Sequence, residues 1–235
     1  MIRRLRRTAL SAIALLGLAL AQGARADGPV VVELFTSQGC SSCPPADALL
    51  AELADRNDVI AMALHVDYWD YIGWKDSFAD PAFTKRQKKY AYAAGTRTIY
   101  TPQIIVNGRD HVVGAKPMKL ADLIARHKSA GHAVTVEVDR RGETVVVEVA
   151  ASDAKKAGVL RLAVLEPSKT VAIKRGENAG RTITYRNIVR ELVDVATWDG
   201  TGTDSFTIRL PQGARAVVFV QADGMGPILG AARVP

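Results

Sequence analysis

Hydrophobic and polar residues alternate in two different textures along this chain. In the first half, unbroken apolar runs are separated by mixed segments of helical length. Residues 29–36 (Pro-Val-Val-Val-Glu-Leu-Phe-Thr) and Val59 to Val66 (Val-Ile-Ala-Met-Ala-Leu-His-Val) are such runs. Strands that are apolar throughout suit a parallel sheet covered on both faces, because no position then faces water. Between these runs, residues 44–56 read as a helix with Pro44 and Pro45 in its first turn, where a missing N–H costs nothing. Pro81 to Ala94 reads as a second helix with a basic face of Lys85, Arg86, Lys88 and Lys89, and Pro117 to Lys128 as a third. Thr101 to Gly108 reads as a loop, a strand and an Asn-Gly turn, and Asp110 to Val113 completes a hairpin. The predicted order is β-α-β-α-β-β-α, with residues 67–80 inserted before the second helix.

The texture changes after Gly131. Val134 to Val138 alternates apolar and polar, Arg141-Gly142 makes a turn, and Thr144 to Val149 follows. Further strand-like runs cover residues 159–166, 170–175, 183–196, 204–210, 215–222 and 227–233. Short strands, frequent Gly turns and no clear helical period predict an antiparallel β-sandwich. The boundary falls near residues 130–133. The predicted organisation is a leader over 1–26, an α/β domain over 27–131 and a β-sandwich domain over 132–235.

The leader has a basic start (Arg3, Arg4, Arg6, Arg7), an apolar stretch from Thr8 to Ala21 and Ala24-Arg25-Ala26 before Asp27. This is the pattern of a cleaved secretory signal peptide, and it predicts a periplasmic or secreted protein of a Gram-negative bacterium with no stable membrane anchor. Removal of the leader changes the charge. The whole chain carries 31 Lys+Arg against 24 Asp+Glu; five of those arginines lie in the leader, so 26 basic residues remain against 24 acids. Near-neutrality gives no argument for nucleic acid as a partner.

The chain has two cysteines, Cys40 and Cys43, separated by Ser41-Ser42. They follow the first apolar run and open the first helix. A strand, a short loop and a CxxC at a helix start are the arrangement of redox sites in thioredoxin-like folds. A helix N-terminus lowers the pKa of the first thiol, and a second thiol one turn on resolves a mixed disulfide. Cys40 is the candidate nucleophile and Cys43 the resolving thiol. An inert disulfide and a metal pair are the other readings. A zinc site wants four ligands, and His65, His111, His127 and His132 form no second cluster in the sequence. Copper delivery would use Cys40, Cys43 and His65, since thiolate and imidazole suit copper; otherwise no cofactor beyond the cysteine pair is expected.

Thr101-Pro102 stands just before a core strand, where a thioredoxin-like fold carries a cis proline whose preceding residue presents its backbone to an incoming peptide; the pair is the candidate substrate-binding segment, or else Pro102 is an ordinary trans proline at a strand start. His65, Asp67 and Trp69 end and follow a core strand, and active sites gather at such carboxyl ends. They are possible neighbours of the cysteines, or else they pack and cap the insertion. Composition favours a solvated hairpin loop for Lys174 to Arg181, with a contact to the first domain or a partner as the alternative.

Glu33 to Asp47, Tyr100-Thr101-Pro102-Gln103 with Val106-Asn107-Gly108, His65 to Asp70 and Arg175 to Arg181 resemble segments of the secreted bacterial thioredoxin-like family catalogued as domain of unknown function 1223. The resemblance covers nearly all of the chain after the leader. It implies an α/β thioredoxin-like domain followed by an all-β (β-sandwich) domain. The usual Trp-Cys-Gly-Pro-Cys of thioredoxins is here Gly39-Cys40-Ser41-Ser42-Cys43, which leaves the reduction potential open. The expected function is thiol–disulfide exchange with protein or small-molecule thiols, through a redox partner protein. The alternative is a non-enzymatic envelope binding module or copper carrier on the same scaffold.

Overall fold

The computed structural model describes residues 28–151 and 156–235; the expected leader lies outside the described residues. The first half runs β1 (Val30–Thr36), α1 (Pro44–Ala54), β2 (Val59–His65), a 3-10 turn at Asp70–Ile72, α2 (Pro81–Ala93), β3 (Gln103–Val106), β4 (Asp110–Val113) and α3 (Pro117–Ala130). The second half runs β5 (Val134–Arg141), β6 (Thr144–Ala151), β7 (Gly158–Ala172), β8 (Thr182–Trp198), β9 (Thr203–Arg209), β10 (Arg215–Ala222) and β11 (Ile228–Val234). Each α-helix begins with a proline in its first turn. Every residue of β1, β2 and β3 is buried, as unbroken apolar runs require.

The expectation of an α/β thioredoxin-like domain followed by a β-sandwich domain is overturned by the strand order. One eight-stranded mixed sheet runs β11-β10-β7-β8-β2-β1-β3-β4, so four strands of the second half extend the sheet of the first. Only β5, β6 and β9 form a separate three-stranded sheet. The molecule is mostly β, with three α-helices among the described residues. The physical reason is edge pairing. An isolated first half would leave β2 as an open edge, a row of unpaired N–H and C=O groups. Here β8 lies beside it, parallel, through the register pair Ala63↔Ile188.

The core divides by strand parity. Val30, Val32 and Leu34 of β1 pack with Ala46, Leu50 and Leu53 of α1 and with Leu120 and Ile124 of α3. Val31 and Phe35 point the other way. They meet Phe83 and Tyr90 of α2 and, from the second half, Leu165, Val217, Phe219 and Ile228. The three-stranded sheet buries Val145, Val147 and Val149 against Leu160, Leu162, Val218 and Val220. The β3–β4 hairpin turns through Asn107 (φ +47°) and Gly108 (φ +67°). Asn107 Oδ1 accepts from Val31 N–H (2.7 Å), and its carbonyl accepts from Ile228 N–H (2.9 Å), tying β11 to the far side of the sheet.

Candidate active site

β1 ends at Thr36, and the chain turns at once into the cysteine loop. Cys40 N–H donates to Ser37 O (3.2 Å) and Cys43 N–H to Cys40 O (3.2 Å). Cys43 is the N-cap residue of α1 and already has helical angles (φ −78°, ψ −36°). Its carbonyl accepts from the N–H groups of Ala46 (2.8 Å) and Asp47 (3.0 Å). The two cysteines are therefore one turn apart at a helix start, and they form a disulfide with Cα atoms 5.4 Å apart. Both are fully enclosed.

Asp47 follows Cys43 by four residues, so the two side chains lie on one face of α1. Its Oδ1 accepts from Thr36 Oγ1 (2.8 Å). Burial pushes its carboxyl up to about 7, against the opposing pull of His65 and the Thr36 hydrogen bond. Thr36 and His65 are register partners on parallel β1 and β2, which sets both side chains on the face that α1 covers. His65 Nδ1 lies 2.8 Å from Asp76 Oδ2, with both side chains buried. Burial raises the Asp76 carboxyl, but His65 and the N–H groups of Gln38 (2.7 Å) and Phe78 (2.9 Å) outweigh it and hold it below its ordinary range. Phe78 and Tyr185 close on the His65 ring edge to face, with centroids 5.1 and 4.9 Å away. Burial, then the charges of Asp47 and Asp76, push the Tyr185 hydroxyl above its ordinary range. Asp47 Oδ2, His65 Nε2 and Tyr185 OH have no hydrogen-bond partner among the described residues.

Two loops close over the disulfide. In the insertion, Trp74 Nε1 donates to Gln38 Oε1 (2.8 Å). Trp69 Nε1 donates to Thr101 Oγ1 (2.7 Å). The Trp69 and Ile72 side chains press on Gly39 so closely that a Cβ there would sit 3.1 Å from each. From the second half, buried Asn178 donates from Nδ2 to the carbonyls of Gln38 (2.9 Å) and Cys40 (2.8 Å). Glu177 Oε2 accepts from Ser41 N–H (3.0 Å), and hydrogen bonding to Ser41 holds its carboxyl below the ordinary range.

The structure places Trp69 against Gly39 of the cysteine loop and against Thr101, and joins His65 to Gln38 of that loop through Asp76. Register sets Gln103 opposite Phe35, so Thr101-Pro102 lies at the carboxyl end of β1, where the cysteine loop leaves the sheet. The Thr101-Pro102 bond is cis. Asp67 faces away from this group: its Oδ1 accepts from Thr84 Oγ1 of α2 (2.5 Å). Among the described residues, no three His, Cys, Asp or Glu side chains are placed to hold one metal ion. Residues 174–181 do form the loop between β7 and β8 and are mostly exposed, but Asn178 is buried against the cysteine loop, so the alternative of a contact with the first half holds. Sequence reasoning missed Asp47, Asp76 and Tyr185. A signal existed for Asp47, an acid adjoining the apolar stripe Ala46, Leu50, Leu53; nothing local marked the other two.

The family model described as "Protein of unknown function (DUF1223)" matches residues 31–221. No curated protein matches the chain. The fold is similar to the crystal structure of a structural-genomics target from Agrobacterium tumefaciens, at 34% identity over 90% of this chain and 96% of that one, with a TM-score of 0.76. It is also similar to HBP35 of Porphyromonas gingivalis, at 17% identity over 90% of this chain and 76% of that one, with a TM-score of 0.62. That second likeness is one of fold alone.

Proposed function

The chain belongs to the family described as protein of unknown function DUF1223, and on that premise we propose that it is a thiol–disulfide oxidoreductase of the bacterial envelope. One observation carries the reading. The Cys40–Cys43 disulfide caps α1 directly above Asp47, a buried carboxyl held near 7. Keeping an ionisable acid in a dry core costs stability, and such perturbed groups beside a reactive pair are a mark of working sites.

The reaction follows from the arrangement. A partner thiolate attacks Cys40 Sγ, the Cys40–Cys43 bond breaks, and Cys43 leaves as a thiolate. The protonated Asp47 carboxyl gives that sulfur its proton. A second partner thiolate attacks the mixed disulfide, and Cys40 leaves as a thiolate stabilised by the helix N-terminus. Two partner thiols become one disulfide, and the cysteine pair takes up two electrons; the reverse sequence reduces a partner disulfide. Thr101 and Pro102, at the carboxyl end of β1, would bind the partner's backbone. The basic and apolar leader supports export to the periplasm or beyond.

Full enclosure of both sulfurs favours a second reading, a structural staple. The reduction potential, read by mass spectrometry after equilibration in glutathione buffers, separates the two. A value between about −120 and about −270 mV is expected for an exchanging pair. A pair still oxidised below about −300 mV is a staple. A Cys43→Ser protein should also trap mixed disulfides through Cys40.

A further inference from the structure

The eight-stranded sheet is parted at its middle. β1 and β2 pair along their whole length, whereas β2 and β8 meet only at Ala63↔Ile188. Asn187, next to that bridge, has a left-handed φ of +47°. The β7–β8 ladder shifts register at Val164/Leu165 in the same region. The run of β8 is therefore broken where it would continue along β2.

The gap is a finished piece of structure. Backbone carbonyls along the open edge of β2 are met by side chains instead of a strand, as burial demands. Asn187 Nδ2 donates to Ala61 O (3.0 Å), and Arg233 Nη2 donates to Val59 O. What remains is a cavity of about 430 Å³, within the usual size of small-molecule sites. Ile60, Leu165 and Val217 give it apolar walls, and Arg140, Arg215 and Arg233 line it with charge.

The charge of Arg233 is fixed in place but not neutralised. Arg140 donates to the carbonyls of Gly142, Pro211 and Ala214 and to Pro235 O. Arg233 donates to the carbonyls of Arg56, Asn57 and Val59. Neutral carbonyls orient the Arg233 guanidinium without cancelling it. The acids nearby are engaged elsewhere: Asp55 with Arg186, and Asp58 with Arg56 and Lys128. Burial, then the charge of Arg215, hold the Arg233 guanidinium below its ordinary range, with Asp58 opposing. An apolar cleft with the exposed guanidiniums of Arg215 and Arg233 at its rim fits one class of occupant.

We infer that the cleft between β2 and β8 binds a small amphipathic carboxylate, its apolar body between Ile60, Leu165 and Val217 and its head group between Arg215 and Arg233. The site lies at the amino end of β2, and the disulfide lies beyond the carboxyl end of β1, so the two are separate.

Titration calorimetry of decanoate into the full chain, with its disulfide intact, tests this. Saturable one-to-one binding is expected. Arg215→Ala removes a charged contact from an exposed position and should weaken it about tenfold. Ala54→Trp places an indole in the cleft from the end of α1 and should abolish it, with thermal melts confirming that both variants fold. Decanol, the same chain without the charge, should bind far more weakly than decanoate. No decanoate binding overturns the inference. So does binding that both variants leave intact, and so does decanol binding as tight as decanoate.

Discussion

At the scale of single residues, the most consequential group is Asp47. In the unfolded chain it titrates like any aspartate; in the fold, burial holds its carboxyl near 7. Between about pH 4 and 7 the native state keeps a proton that the unfolded state has lost. Stability from this group is complete below pH 4, falls as pH rises through that window, and is level above it. Asp47→Asn keeps the acceptor for Thr36 Oγ1 and cannot ionise. It should raise Tm at pH 8 by about 3–10 °C and change it little at pH 4. A variant whose Tm tracks that of the wild type across pH 4–8 would show that Asp47 does not titrate there. Glu33 carries a different kind of contact. Its carboxylate, wholly buried, accepts from Arg86 Nε (2.6 Å), Arg86 Nη2 (3.1 Å) and Tyr90 OH (2.5 Å). Glu33→Gln leaves the Arg86 charge in the core without its counter-ion. The expected loss is about 3–5 kcal/mol in urea unfolding, and the double change Glu33→Leu/Arg86→Met should recover most of it.

At the scale of elements, the loop of residues 174–181 controls the disulfide. Asn178 clamps it to the Gln38 and Cys40 carbonyls, and Glu177 adds the bond to Ser41. Because the loop is fixed to the Cys40 carbonyl, the expected route to the sulfurs is by lifting it. Asn178→Ala removes two hydrogen bonds of about 1 kcal/mol each, so reduction by dithiothreitol well below Tm should accelerate about tenfold to thirtyfold. An unchanged rate would place the access route elsewhere. This loop was the least legible part of the site. Lys-Arg-Gly-Glu-Asn-Ala-Gly-Arg has the composition of a solvated turn, and what buries Asn178 is a contact spanning 138 residues. The cysteine turn was legible because its cause is local: an apolar strand, a short loop, two prolines and a helix. Thr101-Pro102 was legible for the same reason, from its place before a strand. His65 was named, but its partner Asp76 was not, because the inserted loop gives no period from which to infer direction.

At the scale of the whole molecule, alternation told which face of each strand is buried but not which strand lies beside it. That is why the first half was legible element by element while its union with the second was not. The apolar runs Val30–Thr36 and Val59–His65 announce burial on both faces, yet nothing in them says that Phe219 and Val217 of β10 supply part of one face. The union has a measurable consequence. In a fragment of residues 27–131, β2 loses its outer neighbour, and Val31, Phe35, Ile60, Met62 and Leu64 lose the cover of Leu165, Val189, Val217, Phe219 and Ile228. Arg86 loses Gln221, which accepts from its Nη2 (3.0 Å). Leaving several large apolar side chains in water costs about 1.5–3 kcal/mol each, against a total stability of about 5–15 kcal/mol. The fragment should therefore show no cooperative melt by circular dichroism and should aggregate through the open edge of β2. A cooperative transition with an intact near-ultraviolet spectrum would mean the opposite: the first half folds alone, and the single Ala63↔Ile188 bridge is a docking contact between two self-sufficient units.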